Sequence, residues 1–316
     1  MSALFVKPTA ADPCPVAMRG IVPSLNTPFD ASGEADEKAY ACLVDHSICA
    51  GAVGLLALAV AGEQGTLTLD EKARLARVAV ETAGGRVPVI VSVTNPDEGA
   101  RLALARLAKA AGADGVCCQA PAGLTGEALE AALARVALAG PDLLMLQDLD
   151  WTGGGLALQE IVALFERLPA FRCLKIETAP AGPKYSAVLA ATDRRLHVSG
   201  GWAVQQMPDA LARGVHAFMP TAMDETYVAI YRLWTSGRAD DARALFEQLL
   251  PVLAFANQHI DVSIRFLKLL RFRDGLFATA HCRPPVREFD AVQASEAERM
   301  IARVKTLTGR LGASTP

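Results

Sequence analysis

Aromatic residues are scarce in this 316-residue chain, at 6%, and they never interleave with basic residues as single-stranded nucleic acid binding requires. The formal net charge is -3, and no basic patch stands out. A nucleic acid or an anionic membrane surface is therefore not an expected partner. No stretch of eighteen or so uninterrupted apolar residues occurs, so no membrane-spanning helix is predicted. The N-terminus lacks a charged segment followed by an apolar one, which points away from secretion. The seven cysteines (14, 42, 49, 117, 118, 173 and 282) are odd in number and never spaced CxxC. That argues against a disulfide framework or a zinc site and for reduced thiols in a cytoplasmic protein. The five histidines show no HxH or HExxH spacing, so no metal is expected, and His216 reads as structural.

What the chain has in quantity is apolar residue, 52% against 21% charged, enough for a sizeable core. From Gly20 onward, short apolar runs (21–25, 53–60, 87–93, 115–119, 143–146, 171–175, 196–199 and 216–220) alternate with helical patterns. The helical patterns cover 37–49, 69–83, 98–111, 126–138, 158–168, 184–191 and 204–213. The runs are continuous rather than alternating in polarity, as suits parallel strands covered on both faces. Thr68 with Glu71 has the spacing of a capping box, and Ala111-Gly112 that of a helix stop. About eight β-α alternations predict an α/β fold of the closed (β/α)₈ kind, a TIM barrel, over 19–224. The alternative is an open doubly wound sheet, but no GxGxxG follows the first run. Residues 1–18, with Pro8, Pro13 and Pro15, read as a loose N-terminal arm. Helical stretches at 225–235, 239–255, 260–272 and 295–307 read as a helical C-terminal extension over 225–316.

In such a barrel the strand C-termini form the catalytic mouth. That set holds Asn26, Thr27, Gly62, Glu63, Gln119, Gln147, Asp148, Lys175, Glu177, Ser199, Gly200 and Gly201, with Lys175 as its single lysine. A buried ammonium must pair or lose its proton, and a neutral amine can attack a carbonyl to form a Schiff base. The bland alternative is a strand-end lysine whose head reaches solvent.

Several segments resemble the dihydrodipicolinate synthase / N-acetylneuraminate lyase family of class I pyruvate aldolases. They are Thr27-Pro28-Phe29-Asp30 with Gly33 and Asp36, Ala61-Gly62-Glu63 with Leu67-Thr68 and Glu71, and Ala110-Ala111-Gly112-Ala113-Asp114-Gly115. Lys175-Ile176-Glu177, Ser199-Gly200 and Arg283-Pro284-Pro285 follow in the family's order, so the resemblance spans roughly residues 19–310. The resemblance implies a lysine imine with a pyruvate-like 2-keto acid, formed at Lys175. It also implies no metal or organic cofactor, and a homo-oligomer, commonly a tetramer built as a dimer of dimers.

The chain departs from the family where the chemistry is done. The family's hydroxyl pair before Gly-Glu is Val60-Ala61 here, and its relay tyrosine after the fifth strand is Gln147 in Gln147-Asp148-Leu149-Asp150. Pro121 is followed by Ala122-Gly123 rather than tyrosine, and Trp151 stands where many synthases have arginine. An amide cannot relay protons as a phenol does. Glu177 and Asp148 are the candidate replacements, against the plainer readings that Glu177 only pairs with Lys184 or Lys175 and that Asp148 caps a turn. Gln147 and Gln119 would donate hydrogen bonds. Thr27, Ala61, Gly62, Glu63, Ser199, Gly200 and Gly201 would bind substrate, Gly200 and Gly201 through backbone amides or merely in a tight turn. Gly153-Gly154-Gly155 reads as a mobile loop, and Arg265, Lys268, Arg271 and Arg273 as a solvated or intersubunit face.

The expected function is a lyase or aldolase, a Schiff-base former acting on a 2-keto acid, and not the lysine-pathway synthase. The rival readings are a catalytically degenerate barrel that senses a keto acid or sugar acid, and an imine-free hydratase or hydrolase.

Overall fold

The computed structural model describes residues 4–201 and 205–313. Its eight strands are β1 (Gly20–Ile21), β2 (Leu55–Ala57), β3 (Val89–Ser92), β4 (Gly115–Gln119), β5 (Leu143–Asp150), β6 (Phe171–Thr178), β7 (His197–Gly200) and β8 (Ala217–Phe218). All pairings are parallel, in the order β1-β8-β7-β6-β5-β4-β3-β2. The ends of that order meet. Val53 N donates to Ile21 O (2.8 Å), Leu56 N to Pro23 O (2.9 Å) and Leu25 N to Leu56 O (2.9 Å), which closes the TIM barrel. β1 and β8 are shorter than their apolar runs because Pro23 and Pro220 have no N–H for the ladder. Their neighbours still bond across, Val22 N to Phe218 O (2.8 Å) and Ser24 N to Pro220 O (2.7 Å).

The helices between strands are α1 (Glu37–Cys49), α2 (Leu69–Ala83), α3 (Glu98–Ala110), α4 (Gly126–Ala139), α5 (Leu158–Arg167), α6 (Ala181–Ala191) and α7 (Met207–Arg213). The α2 capping box forms, with Thr68 N donating to Glu71 Oε2 (2.8 Å) and Glu71 N to Thr68 Oγ1 (3.2 Å). Helix α6 starts three residues earlier than its apolar pattern because Pro183 sits in the first turn, where a missing N–H breaks no bond. The helix expected from 204 begins at Met207, and Val204 lies outside the described residues. Four more helices follow, α8 (Asp224–Thr235), α9 (Ala239–Ala256), α10 (Ile260–Arg273) and α11 (Ala291–Ala313). Asp290 caps the last through Gln293 N (2.8 Å), which sets its start ahead of the periodic stretch.

The N-terminal arm does not hang loose. Phe5 pairs antiparallel with Val16, and Leu4, Cys14, Val16 and Met18 are buried with Ile90, Cys117, Met145 and Cys173 of the barrel interior. Burying the Leu4, Val16 and Met18 side chains stabilises by about 1.5–3 kcal/mol each, which is what draws the arm in. Beside it, His197 and His216 stack with ring centroids 5.0 Å apart. His197 Nε2 lies 2.7 Å from Met18 O, and His216 Nδ1 accepts from Val198 N at 2.9 Å. Burial holds the His197 imidazole neutral, its pKa pushed down to about 4.

Candidate active site

The site is built by register. Lys175 pairs with Gln147 on one side and Ser199 on the other, and Glu177 pairs with Leu149. Both β5 and β6 run past their apolar segments, so Gln147, Lys175 and Glu177 remain in strand, where residues two apart share a face. Glu177 therefore stands directly above Lys175 inside the barrel. Its Oε2 lies 3.1 Å from Lys175 Nζ and accepts a short hydrogen bond from Gln147 Nε2. The Lys175 and Glu177 side chains are only 6% and 9% exposed, so the contact is made away from bulk water, where it is little screened. Below them Cys117 and Cys173 line the interior, and burial pushes the Cys117 thiol up to about 12, keeping that floor neutral.

Gly201 explains how the pair fits. A Cβ at this position would lie 2.1 Å from Glu177 Oε1 and 2.6 Å from Lys175 Cε, so the cluster occupies the volume of the missing side chain. Gly201, Ala61 and the trio Lys175, Glu177 and Gln147 line one cavity.

The rest of the proposed binding set supports the mouth from behind. Val60–Gly62 forms a 3₁₀ turn, with Val60 and Ala61 on the cavity wall. Thr27 Oγ1 donates to Gly62 O (2.6 Å) and Asn26 Nδ2 to Ala61 O (3.1 Å). Glu63 has a left-handed backbone (φ 54°) and turns its carboxylate away from the cavity, to Lys268 Nζ (2.6 Å) and Arg283 N (2.9 Å). Ser199 Oγ donates to Leu174 O (3.4 Å), while Gly200 and Gln119 are strand-end residues that do not line the cavity.

Asp148 is one residue out of phase with Gln147 and Leu149 and emerges on the opposite face of β5. There it forms a close ion pair with Lys184 of α6 and accepts from Leu156 N (2.9 Å). Asp150 accepts from Thr152 N (3.1 Å), Gly153 N (2.8 Å) and Gly155 N (3.2 Å). The three-glycine loop is thus pinned by two carboxylates rather than free, with Trp151 brought to the cavity wall.

The other side of the cavity was not visible in the sequence. Helices α9 and α10 roof it with Leu253, Asn257, Ile260 and Ser263, and Tyr227 of α8 adds a phenol that burial, and then the Asp224 charge, holds above its usual range. These residues lie far along the chain from the strand ends and carry no local motif. The basic face of α10 also needs correction. It is not solvated: Lys268 and Arg271 are 0% and 2% exposed, Arg271 pairs with Asp224 (2.9 Å), and Arg265 pairs with Glu288 (2.7 Å). Of the four, Arg273 lies on the surface, against Glu298.

A closed ring of eight parallel strands with a lysine and a carboxylate side by side in its mouth defines a (β/α)₈-barrel enzyme. The chain belongs to the dihydrodipicolinate synthetase family, which it matches over residues 17–304, and it is a lyase of the aldolase or dehydratase kind. It is 29% identical over 301 residues to an L-2-keto-3-deoxyarabonate dehydratase of Azospirillum brasilense, covering 92% of this chain and 96% of that one. It is 39% identical to a 4-hydroxy-tetrahydrodipicolinate synthase of Salinibacter ruber, over 103 residues, 33% of this chain and 34% of the relative. Its fold is that of the dihydrodipicolinate synthase of Rhodopseudomonas palustris, with a TM-score of 0.84 at 24% identity over 90% of this chain and 97% of the other. Among the described residues no helix is long and apolar enough to cross a membrane.

Proposed function

We propose that the protein dehydrates a 2-keto-3-deoxy sugar acid through a Schiff base at Lys175. The observation that carries this reading is the Glu177 carboxylate 3.1 Å from Lys175 Nζ, held there by Gln147. Glu177 takes a proton from Lys175, whose neutral amine adds to the substrate's C2 carbonyl and expels water to give the imine. The same carboxylate is within reach of C3, one bond from the imine carbon. Removing a C3 proton gives the enamine, and returning that proton to the C4 hydroxyl lets it leave as water. Hydrolysis of the conjugated imine frees Lys175, for a net loss of one water. One carboxylate, alternately base and acid, serves both transfers. Aldol cleavage would instead need a base at the C4 hydroxyl, further from the imine nitrogen, and the tyrosine position that would serve it is Gln147. Asp148 faces the other side of β5 and acts on the loop rather than the reaction. On this reading the substrate carboxylate binds the backbone of the Val60-Ala61 turn, whose side chains line the cavity and offer no hydroxyls. The similarity to a 2-keto-3-deoxyarabonate dehydratase runs nearly end to end, while the similarity to the synthase covers a third of the chain, which supports dehydration over condensation.

The test is intact mass after incubation with pyruvate and a panel of 2-keto-3-deoxy sugar acids, followed by borohydride, on wild type, Lys175→Ala and Glu177→Gln. The expected result is an adduct on wild type, none on Lys175→Ala, and turnover reduced ~10²–10⁴-fold in Glu177→Gln. No adduct with any keto acid would overturn the reading in favour of a binding protein or an imine-free enzyme.

A further inference from the structure

Lys268 is the most deeply buried cation outside the reacting cluster. Its side chain is 0% exposed, and it meets Glu63, itself 1% exposed, at 2.6 Å. Burial pulls the lysine's pKa below its ordinary value, with the Glu63 charge opposing that shift. Its Nζ lies 4.1 Å from the Phe29 ring centroid, and the Arg283 guanidinium lies 4.3 Å from the same ring. The second oxygen of Glu63 is taken by Arg283 N (2.9 Å), so both carboxylate oxygens are engaged by the C-terminal part of the chain.

A buried ion pair is a weak source of net stability, because the desolvation of two charges offsets most of their attraction. Its effect here is on placement. Glu63 closes the Val60–Gly62 turn in a left-handed conformation that a residue with a Cβ adopts at a cost of about 1–2 kcal/mol. On its other side the turn is fixed to the segment that follows β1, where Ala61 O and Gly62 O accept from Asn26 and Thr27. Gly62 packs so closely that a Cβ would lie 2.8 Å from Leu25 O. The turn is thus clamped between the segment after β1 and α10, and only the α10 side uses charge.

We propose that Lys268 is a positioning residue of the reaction: through Glu63 it sets the backbone of the Val60–Gly62 turn, and so controls binding of the keto-acid carboxylate rather than chemistry at Lys175. The inference rests on the reading of that turn as the carboxylate site. It makes α10 part of the functional unit, since a helix residue 205 positions away from Glu63 governs substrate affinity.

The test uses pyruvate as the probe and reads the rate of borohydride-trapped adduct against pyruvate concentration in wild type, Lys268→Met and Glu63→Gln/Lys268→Met. The double variant removes both charges, leaves no unpaired ion, and decides the matter should the single variant fail to fold. The expected result is a half-saturating pyruvate concentration raised at least tenfold, with the saturated rate within about threefold of wild type. A merely structural role would lower the melting temperature without separating the two parameters. An unchanged half-saturation in a folded variant, or a loss confined to the saturated rate, would overturn the positioning role alone. Absence of any adduct on wild type would overturn it together with the imine mechanism.

Discussion

Replacing Gly201 by alanine separates the chemistry from the fold. The φ of Gly201 lies outside the left-handed region, so the backbone accepts an alanine without strain. The new methyl, however, would fall 2.1 Å from Glu177 Oε1, and the carboxylate must retreat by 3.4 − 2.1, about 1.3 Å, to reach ordinary contact. It cannot do so freely, because its other oxygen is held by Gln147 and by Lys175 at 3.1 Å, and Lys175 Cε is itself only 2.6 Å from the methyl. A misplacement of about 1 Å at reacting groups costs roughly 10²-fold, and full loss of a positioned acid/base ~10²–10⁴-fold. Turnover should therefore fall at least ~10²-fold. The melting temperature should fall only modestly, because overpacking costs about 1–3 kcal/mol and a Gly→Ala change offsets about 0.4–1 kcal/mol of that through the unfolded chain. The assay pairs turnover of the deoxy keto acid with thermal melting on the same sample. A folded Gly201→Ala protein with wild-type turnover would show that Glu177 need not stand where it does, and the mechanism would fail with it.

Acid stability should follow the stacked pair His197 and His216, whose pKa values burial pushes down from an ordinary 6.5 to about 4 and about 2, so the unfolded chain binds more protons below about pH 6.5. Stability is then full above about pH 6.5 and falls as pH drops, with His197 contributing about 3 kcal/mol of the loss by about pH 4, and urea unfolding at pH 7 and 4.5 should show a clearly smaller loss in His197→Asn/His216→Asn, whereas equal losses would place the acid limb elsewhere. Asp150→Ala should free the loop at Gly153 to Gly155, seen as faster proteolysis there, and Asp148→Asn should leave imine trapping within about threefold. A ~10²-fold fall in trapping would instead assign Asp148 to the chemistry.

The barrel was legible because its strands are continuous apolar runs and its helices carry their own punctuation. Helix α2 begins where Thr68 and Glu71 say it should, and α3 ends at the Ala111-Gly112 stop. Lys175 stood out for the same reason, as a lone cation closing an apolar run. The extension of β5 and β6 was not legible, because Gln147 to Asp150 and Glu177 to Thr178 are polar and owe their strand conformation to pairing with each other. That omission mattered for Asp148: once β5 is known to continue, alternation alone places it opposite Gln147. The buried face of α10 was misread because its counter-charges, Glu63 and Asp224, lie 205 and 47 residues away. No local pattern distinguishes an amphipathic basic stripe that meets water from one that meets distant carboxylates.

The arm that fills the bottom of the barrel also dictates traffic. With Leu4, Val16 and Met18 packed beneath Cys117 and Cys173, the deep end is a dead end, and Lys175 sits near its bottom with Glu177 one step above. On the mechanism proposed above, a keto acid bonded to Lys175 departs only after the water severed from it. On that mechanism, exchange at such a site runs as a stack, last in and first out, and the piece carrying the carboxylate is the final one to go.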